Sequence, residues 1–230
     1  LGAERFDAFK RSLQDCREGA DTDGQSHFFH VLSGRAGLKV PVEGLAGYDR
    51  RILAYEAELA RNRRADVFRS FKYFQYLAVL YAELLLDRLT SDPKALLADL
   101  NRFKKGSTDF ANLPDFEPDD LRRAAFFMAT GSGKTLLMHV NIRQVLHYLV
   151  SGKHPEALVS RSDGRREFDN ILLITPGEGL SDQHLRDLEE SGLDAARFIE
   201  DRSSAGLFGP KVKVIEIHKL AEEASGDGVS

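Results

Sequence analysis

The chain has 230 residues, of which 42% are hydrophobic and 30% charged, enough for one or two compact domains with a buried core. Its 32 Lys and Arg residues are outnumbered by 36 Asp and Glu residues, which excludes binding of nucleic acid through a strongly basic surface, so any such contact has to be local. The single cysteine, Cys16, excludes an internal disulfide framework. No apolar run reaches membrane length and no signal sequence is visible, so we expect a soluble cytoplasmic protein with no membrane partner.

Helical patterns dominate the first 105 residues. Apolar residues recur at helix spacing over residues 3–20, 48–64 and 67–89. A further helix is expected to begin at Pro93, with Asp92 as its N-cap. We therefore predict a mostly α-helical N-terminal domain over residues 1–105, followed by a linker over residues 106–120 that is rich in Gly, Ser, Pro and acidic residues.

From residue 121 onward, short apolar runs alternate with amphipathic segments. The predicted strands cover residues 124–129, 170–175 and 212–217, and the predicted helices cover residues 134–150 and 180–190. Gly192 is expected to end the second of these helices. Strands that alternate with helices predict an α/β domain with a parallel sheet over residues 121–230. The polar segment 151–166 is expected to be a surface excursion.

A glycine-rich loop lies between the first predicted strand and the helix that follows it. Residues 128–135 are Met-Ala-Thr-Gly-Ser-Gly-Lys-Thr, a P-loop in which glycines allow backbone N–H groups to surround phosphate oxygens at a helix N-terminus. The Lys134 ammonium suits the β- and γ-phosphates of ATP, and the Thr135 hydroxyl suits Mg²⁺. The residues predicted to bind the nucleotide here are Ala129, Thr130, Gly131, Ser132, Gly133, Lys134 and Thr135, of which Lys134 and Thr135 are the predicted catalytic residues.

The loop departs from the general P-loop pattern at its start. Met128 stands where the pattern has glycine, although this position precedes the part of the loop that contacts phosphate. The alternative interpretation is an ordinary Gly-Ser turn after a strand, and it requires strand, loop, Gly-Lys-Thr and helix to coincide by chance.

The sequence Ala-Thr-Gly-Ser-Gly-Lys-Thr resembles the Walker A motif of superfamily-two DEAD/DEAH-type helicases. The spacing of Pro176, Leu180 and Gln183 after an apolar run resembles motif Ia of the same family. The residues around the P-loop are most similar to helicases related to the Res subunit of type III restriction enzymes. The resemblance covers about residues 121–220 and implies a RecA-like fold.

The resemblance also implies two further sets of contacts. Motif Ia of the family binds the sugar-phosphate backbone, which implicates Thr175, Pro176, Gly177 and Gly179; the alternative is that these residues form only a turn between a strand and a helix. Family members also recognise adenine through an upstream glutamine beside an aromatic residue, which implicates Gln75. This glutamine lies farther upstream than is usual, and the alternative is that it is a residue on the surface of an apolar helix.

Hydrolysis in this family also needs an Asp-Glu pair on a later strand and arginines from a second RecA-like lobe. Neither is visible, so we expect the chain to be an incomplete RecA-like P-loop domain that ends before Walker B and is inactive for hydrolysis alone. The predicted function is the ATP-binding N-terminal part of an ATP-dependent helicase or translocase acting on DNA, with RNA as the alternative substrate. Expected partners are the downstream lobe and a methyltransferase or nuclease subunit. The alternative function is an NTP-binding regulatory module without helicase activity.

Overall fold

The computed structural model describes residues 6–63, 68–150, 171–198 and 212–219. The chain divides into two compact units, one formed by residues 1–56 with 70–167 and the other by residues 57–69 with 168–230. The predicted surface excursion at residues 151–166 lies outside the described residues. The P-loop segment belongs to the first unit, together with the N-terminal helices.

The regular elements described in the first unit are helical and are joined by irregular segments. Its elements are α1 (Phe6–Gln14), α2 (His27–Ser33), α3 (Val42–Asn62, which continues into the second unit), α4 (Tyr73–Ser91), α5 (Pro93–Lys105), a 3₁₀ turn (Pro118–Arg122), α6 (Lys134–Val145) and a π-helical turn (Leu146–Val150). Apolar residues form the core. The largest fully buried ones include Phe9, Ile52, Phe71 and Tyr76 from the predicted helical segments, and Phe28 and Leu45 from outside them.

Helix α2 is not predicted from the sequence. Ser26 caps it by accepting a hydrogen bond from the Phe29 N–H at 2.9 Å, and Phe28, Phe29 and Leu32 are buried. Helix α2 has seven residues, too few to show a clear helical repeat of apolar residues in the sequence. Its stability depends on burial of its apolar face.

Helix α4 begins later than the apolar pattern indicates. The predicted start at residue 67 lies outside the described residues, and residues 68–72 are not helical. Phe71 is fully buried, and its N–H donates to Glu56 Oε1 at 2.5 Å instead of entering a helix. Tertiary contacts therefore override the helical pattern at this end.

The start of α5 is confirmed, since the Asp92 side chain accepts the Ala95 N–H at 2.9 Å and Pro93 lies in the first turn. The predicted linker is tied to this helix. Asn101 pairs with the backbone of Phe116 in both directions, at 3.0 and 2.7 Å, and the buried Lys104 donates to the Leu113 carbonyl at 2.6 Å.

The prediction of a strand at residues 124–129 is wrong for this structure. The segment is irregular, and among the described residues it pairs with no strand. Phe126 and Phe127 are 44% and 94% exposed. A strand exists only with a hydrogen-bonded partner, so β-type composition alone does not produce one.

A buried carboxylate joins α6 to the helical core. Glu83 of α4 is fully buried and accepts hydrogen bonds from Arg51 Nε at 2.7 Å, Tyr55 OH at 3.2 Å, Gln144 Nε2 at 2.9 Å and Tyr148 OH at 2.7 Å. Burial and the charge of Glu83 raise the pKa of both phenols, which keeps them protonated as donors. The predicted helix at residues 134–150 changes to π-helical geometry at its end, where Tyr148 reaches Glu83.

The second unit contains a parallel sheet of three strands in the order β1-β3-β2, where β1 is Ile171–Thr175, β2 is Ala195–Arg197 and β3 is Val212–Glu216. Ile171 lies opposite Val212, and the register continues to Thr175 opposite Glu216. The strands at 170–175 and 212–217 are confirmed to within a residue, whereas β2, with three residues, is not predicted. Leu172 and Ile174 of β1 are 48% and 51% exposed, whereas Thr175 at its end is buried.

Helix α7 (Glu178–Glu190) follows β1 and ends where the sequence predicts, since Gly192 has a φ of 70°. The Arg63 guanidinium, within the same unit, donates to the Asp187 carbonyl at 3.3 Å and to Ser191 Oγ at 2.8 Å. These bonds satisfy polar groups at the C-terminus of the helix.

The described residues therefore form a mixed α/β protein with a small parallel sheet. Within the same residues, no helix combines the length and the apolar character that crossing a membrane requires.

Candidate nucleotide-binding site

The backbone of the P-loop has the conformation that its glycines permit. Gly131 has a φ of 77° and Gly133 a φ of 87° with a ψ of 30°, both in the left-handed region that strains other residues. Gly133 is the N-cap of α6, and no side chain caps the helix there. The first N–H groups of α6 therefore point into the loop as anion donors.

Lys134 lies across this loop. Its Nζ donates to the carbonyl of Ala129 at 3.0 Å and to that of Met128 at 3.2 Å, and the residue is exposed. An ammonium held by two neutral carbonyls can exchange them for phosphate oxygens, which bind it more strongly because they are charged.

Two hydroxyl groups flank the lysine. Ser132 Oγ is buried and, within the described residues, has no hydrogen-bond partner. Thr135 is half-buried in the first turn of α6, at the position where a hydroxyl can contribute one ligand to Mg²⁺. Buried polar groups are normally paired, so Ser132 Oγ fits a loop that closes on a polar ligand.

Gln75 contacts the P-loop directly, which the sequence did not establish. Its Nε2 donates to the Ser132 carbonyl at 2.9 Å. A Cβ added to Gly133 would lie 2.6 Å from the same nitrogen, so a side chain at this position would displace the glutamine amide. The structure thus brings the upstream glutamine and the P-loop together, although they are far apart in sequence.

The Gln75 amide is held from both ends. Its Oε1 accepts the Lys72 N–H at 3.0 Å, at the start of α4, while its Nε2 binds the loop. Tyr73 and Phe74 precede it in an edge-to-face pair, with ring centroids 5.5 Å apart. Gln75 is therefore next to the P-loop within the first unit, and two aromatic residues precede it in α4.

The motif Ia residues lie in the second unit, at the carboxyl end of β1. Thr175 is 2% exposed, and its hydroxyl forms a hydrogen bond with Ser181 Oγ at 2.6 Å. Its side chain therefore fixes the turn and is turned away from solvent. Pro176 and Gly179 are exposed, and Gly177 is the extended N-cap of α7 without a side-chain cap. N–H groups are the donors that this turn offers.

Acidic side chains surround the start of α7. Arg197, at the end of β2, pairs with Glu216 at 2.6 Å and Asp182 at 2.5 Å, and lies 3.8 Å from Glu178. Lys219 also pairs with Glu216, at 2.5 Å. The Lys219 ammonium, followed by hydrogen bonds from Ser181 and Arg197, lowers the pKa of Glu216 to about 2. The basic groups here are thus already neutralised by carboxylates.

Three of these residues are missed by motif matching. Lys72 holds Gln75 through a bond at the start of α4, Ser181 of α7 holds Thr175, and Arg197 pairs with carboxylates around the start of α7. The apolar runs that predict β1 and β3 are the sequence signal here, because parallel strands bring their carboxyl ends together. Among the described residues, no group of three or more His, Cys, Asp or Glu side chains could hold a metal ion.

Comparisons of the chain with protein-family models, with curated proteins and with solved structures give no match. The resemblance of the P-loop and of the turn after β1 to helicase motifs therefore stays a prediction.

Proposed function

We propose that this chain binds Mg²⁺-ATP at residues 129–135 and forms the ATP-binding part of a nucleic-acid helicase or translocase with a RecA-like domain. The observation that carries the proposal is the Gln75–Ser132 hydrogen bond of 2.9 Å, because it joins the glutamine that the resemblance implicates in adenine recognition to a loop with two left-handed glycines and a lysine. This pairing supports a nucleotide site over a chance Gly-Ser turn and over a glutamine that is only a helix-surface residue.

In this proposal each group has a separate task. Lys134 leaves the carbonyls of Met128 and Ala129 and neutralises phosphate charge, while the N–H groups of the loop and of the α6 N-terminus bind phosphate oxygens. Thr135 contributes a hydroxyl to Mg²⁺, which supplies charge neutralisation on the phosphates when bound. Hydrolysis also requires groups on a further strand and a second lobe, as the family resemblance implies.

Calorimetric titration of the chain with Mg²⁺-ATP tests the nucleotide site. Lys134→Ala is expected to weaken binding about 10- to 100-fold, since it removes a charge-assisted hydrogen bond. Lys39→Ala, at an exposed lysine of the same unit, is the matched control and should bind like the wild type. Equal affinities of the wild type and Lys134→Ala would refute the phosphate role of Lys134.

We further propose that the turn at Pro176 contacts the backbone of DNA or RNA through the N–H groups of Gly177 and Gly179, with Thr175 holding the turn in place. The exposed backbone at a helix N-terminus supports this role. Because carboxylates surround the turn, the contact is expected to be weak by itself and to add to contacts made elsewhere in the intact protein.

Fluorescence anisotropy with a labelled single-stranded oligonucleotide tests this contact. Gly179→Glu places a negative charge in the turn and should weaken binding several-fold. Gly179→Ala is its control, because a Cβ at residue 179 meets no atom within 4 Å and should leave binding unchanged. Loss of binding in both variants, or in neither, would contradict a phosphate contact at this turn.

A further inference from the structure

A buried carboxylate lies behind the predicted base-recognition segment. Glu56 of α3 is 9% exposed, and its Oε1 accepts the Phe71 N–H at 2.5 Å. Its nearest charged neighbours that influence its ionisation are the acids Asp49 and Glu18. Burying a carboxylate next to other acids is unfavourable, so the fold keeps the hydrogen bond to Phe71 although the buried acid lowers its stability.

The hydrogen bond fixes the chain just before α4. Phe71 is fully buried, so its backbone is held by both packing and Glu56. The next residue, Lys72, is the N-cap of α4 with extended backbone, and its N–H donates to Gln75 Oε1 at 3.0 Å. The contact of Glu56 with Phe71 is thus one residue away from the Lys72 N–H that the Gln75 amide oxygen accepts.

Gln75 completes the connection to the P-loop through the Ser132 carbonyl, at 2.9 Å. A continuous series of contacts thus runs from Glu56 through Phe71 and Lys72 to Gln75 and the loop, all within the first unit.

The two bonds of Gln75 leave part of its amide available. A glutamine amide has two N–H donors and two acceptor positions, and each end uses one of them here. The remaining donor and acceptor match N7 and the N6 amino group of adenine. Guanine presents acceptors at both N7 and O6. The same orientation of Gln75 would therefore place its amide oxygen opposite O6, and two acceptors cannot form a hydrogen bond.

We propose that Glu56 is a positioning residue for base selectivity: by holding the Phe71 N–H, it orients the Gln75 amide so that the site prefers adenine to guanine nucleotides. This inference rests on the proposed nucleotide-binding function and concerns the base, whereas Lys134 and Thr135 concern the phosphates and Mg²⁺.

Titrations of the whole chain with Mg²⁺-ATP, Mg²⁺-GTP and inorganic tripolyphosphate test the proposal. The wild type should prefer ATP about tenfold or more, the discrimination expected of a two-bond amide–base pair. Glu56→Ala should bring the ATP-to-GTP affinity ratio close to one while tripolyphosphate affinity stays within about twofold of wild type, because the phosphate groups are untouched. Glu56→Gln keeps an acceptor for the Phe71 N–H and should restore the preference.

Glu43→Ala, at an exposed residue of the same helix, is the control and should keep the wild-type ratio. An unchanged ratio in Glu56→Ala, or a failure of Glu56→Gln to restore it, would overturn the inference while leaving the nucleotide site in place. Absence of nucleotide and tripolyphosphate binding by the wild type would overturn the proposed function together with this inference. Equal wild-type affinities for ATP and GTP would overturn the inference alone.

Discussion

Two glycine-rich turns precede helices in this chain, and their surroundings differ. At the P-loop, Gly131 and Gly133 adopt left-handed conformations, Lys134 lies on the loop, and Gln75 reaches it from a distant helix. At the turn after β1, Gly177 is extended, and Arg197 is occupied by carboxylates. The first turn therefore has a cation available for an anionic ligand, whereas the second depends on backbone N–H groups.

The largest effect is expected where the P-loop helix is anchored. Glu83→Ala removes the acceptor of four side chains and leaves the Arg51 charge without its buried partner, so the free energy of unfolding should fall by about 3–5 kcal/mol. Urea denaturation measures the change. Glu43→Ala, on an exposed surface, should stay within about 0.5 kcal/mol of wild type. A loss below 1 kcal/mol for Glu83→Ala would show that the network is not a support of α6.

Glu56 gives the first unit a pH-dependent stability. Burial raises the pKa of Glu56 from 4.5 to about 7. The hydrogen bond from Phe71 lowers this pKa, and the negative charges of Asp49 and Glu18 raise it further. The folded state binds the proton of Glu56 more tightly than the unfolded state does. The stabilisation that this gives is fully present below pH 4.5 and is lost as the pH rises through about 7. Glu56→Gln should therefore gain about 1–3 kcal/mol at pH 8 and show a smaller gain near pH 5. Denaturation at both pH values checks this, and a gain that is the same at both would contradict it.

A smaller effect is expected at Gly133. Alanine there combines an unfavourable φ of 87° with a Cβ placed 2.6 Å from Gln75 Nε2, and should cost about 1–2 kcal/mol of stability and weaken Mg²⁺-ATP binding. Gly47→Ala is the control, since its Cβ meets nothing within 4 Å in α3 and should stabilise the chain by about 0.5–1 kcal/mol. Denaturation and calorimetry on both variants provide the measurements, and tight ATP binding by Gly133→Ala would oppose the loop geometry described above.

The smallest effect is expected at the other turn. Thr175→Val keeps the shape of the side chain but removes the hydroxyl bonded to Ser181, which should cost about 1 kcal/mol without changing nucleotide affinity. Thr175→Ser keeps the hydroxyl and serves as the comparison. A change in Mg²⁺-ATP affinity in Thr175→Val alone would mean that the two turns are less independent than their surroundings indicate.

Local signals predicted much of this molecule. Asp92 with Pro93, Gly192 and the apolar runs of β1 and β3 are properties of neighbouring residues, and the structure confirms the elements that they predict. The P-loop glycines also have the conformations that their sequence requires.

Long-range contacts determine what the sequence left open. The segment at residues 124–129 has the composition of a strand but pairs with none of the described strands, and α4 begins late because Glu56 binds the Phe71 N–H. The role of Gln75 was equally undecided, since a glutamine on an apolar helix has no local signal that it reaches a loop more than fifty residues away.

Hydrogen exchange of the intact chain with and without Mg²⁺-ATP tests most directly the claim that the P-loop is the nucleotide site. Bound nucleotide is expected to slow amide exchange at residues 129–135 and at the start of α4, residues 72–76, while the turn at residues 176–180 exchanges as before. Unchanged exchange at residues 129–135 under saturating Mg²⁺-ATP, or protection confined to residues 176–180, would contradict it.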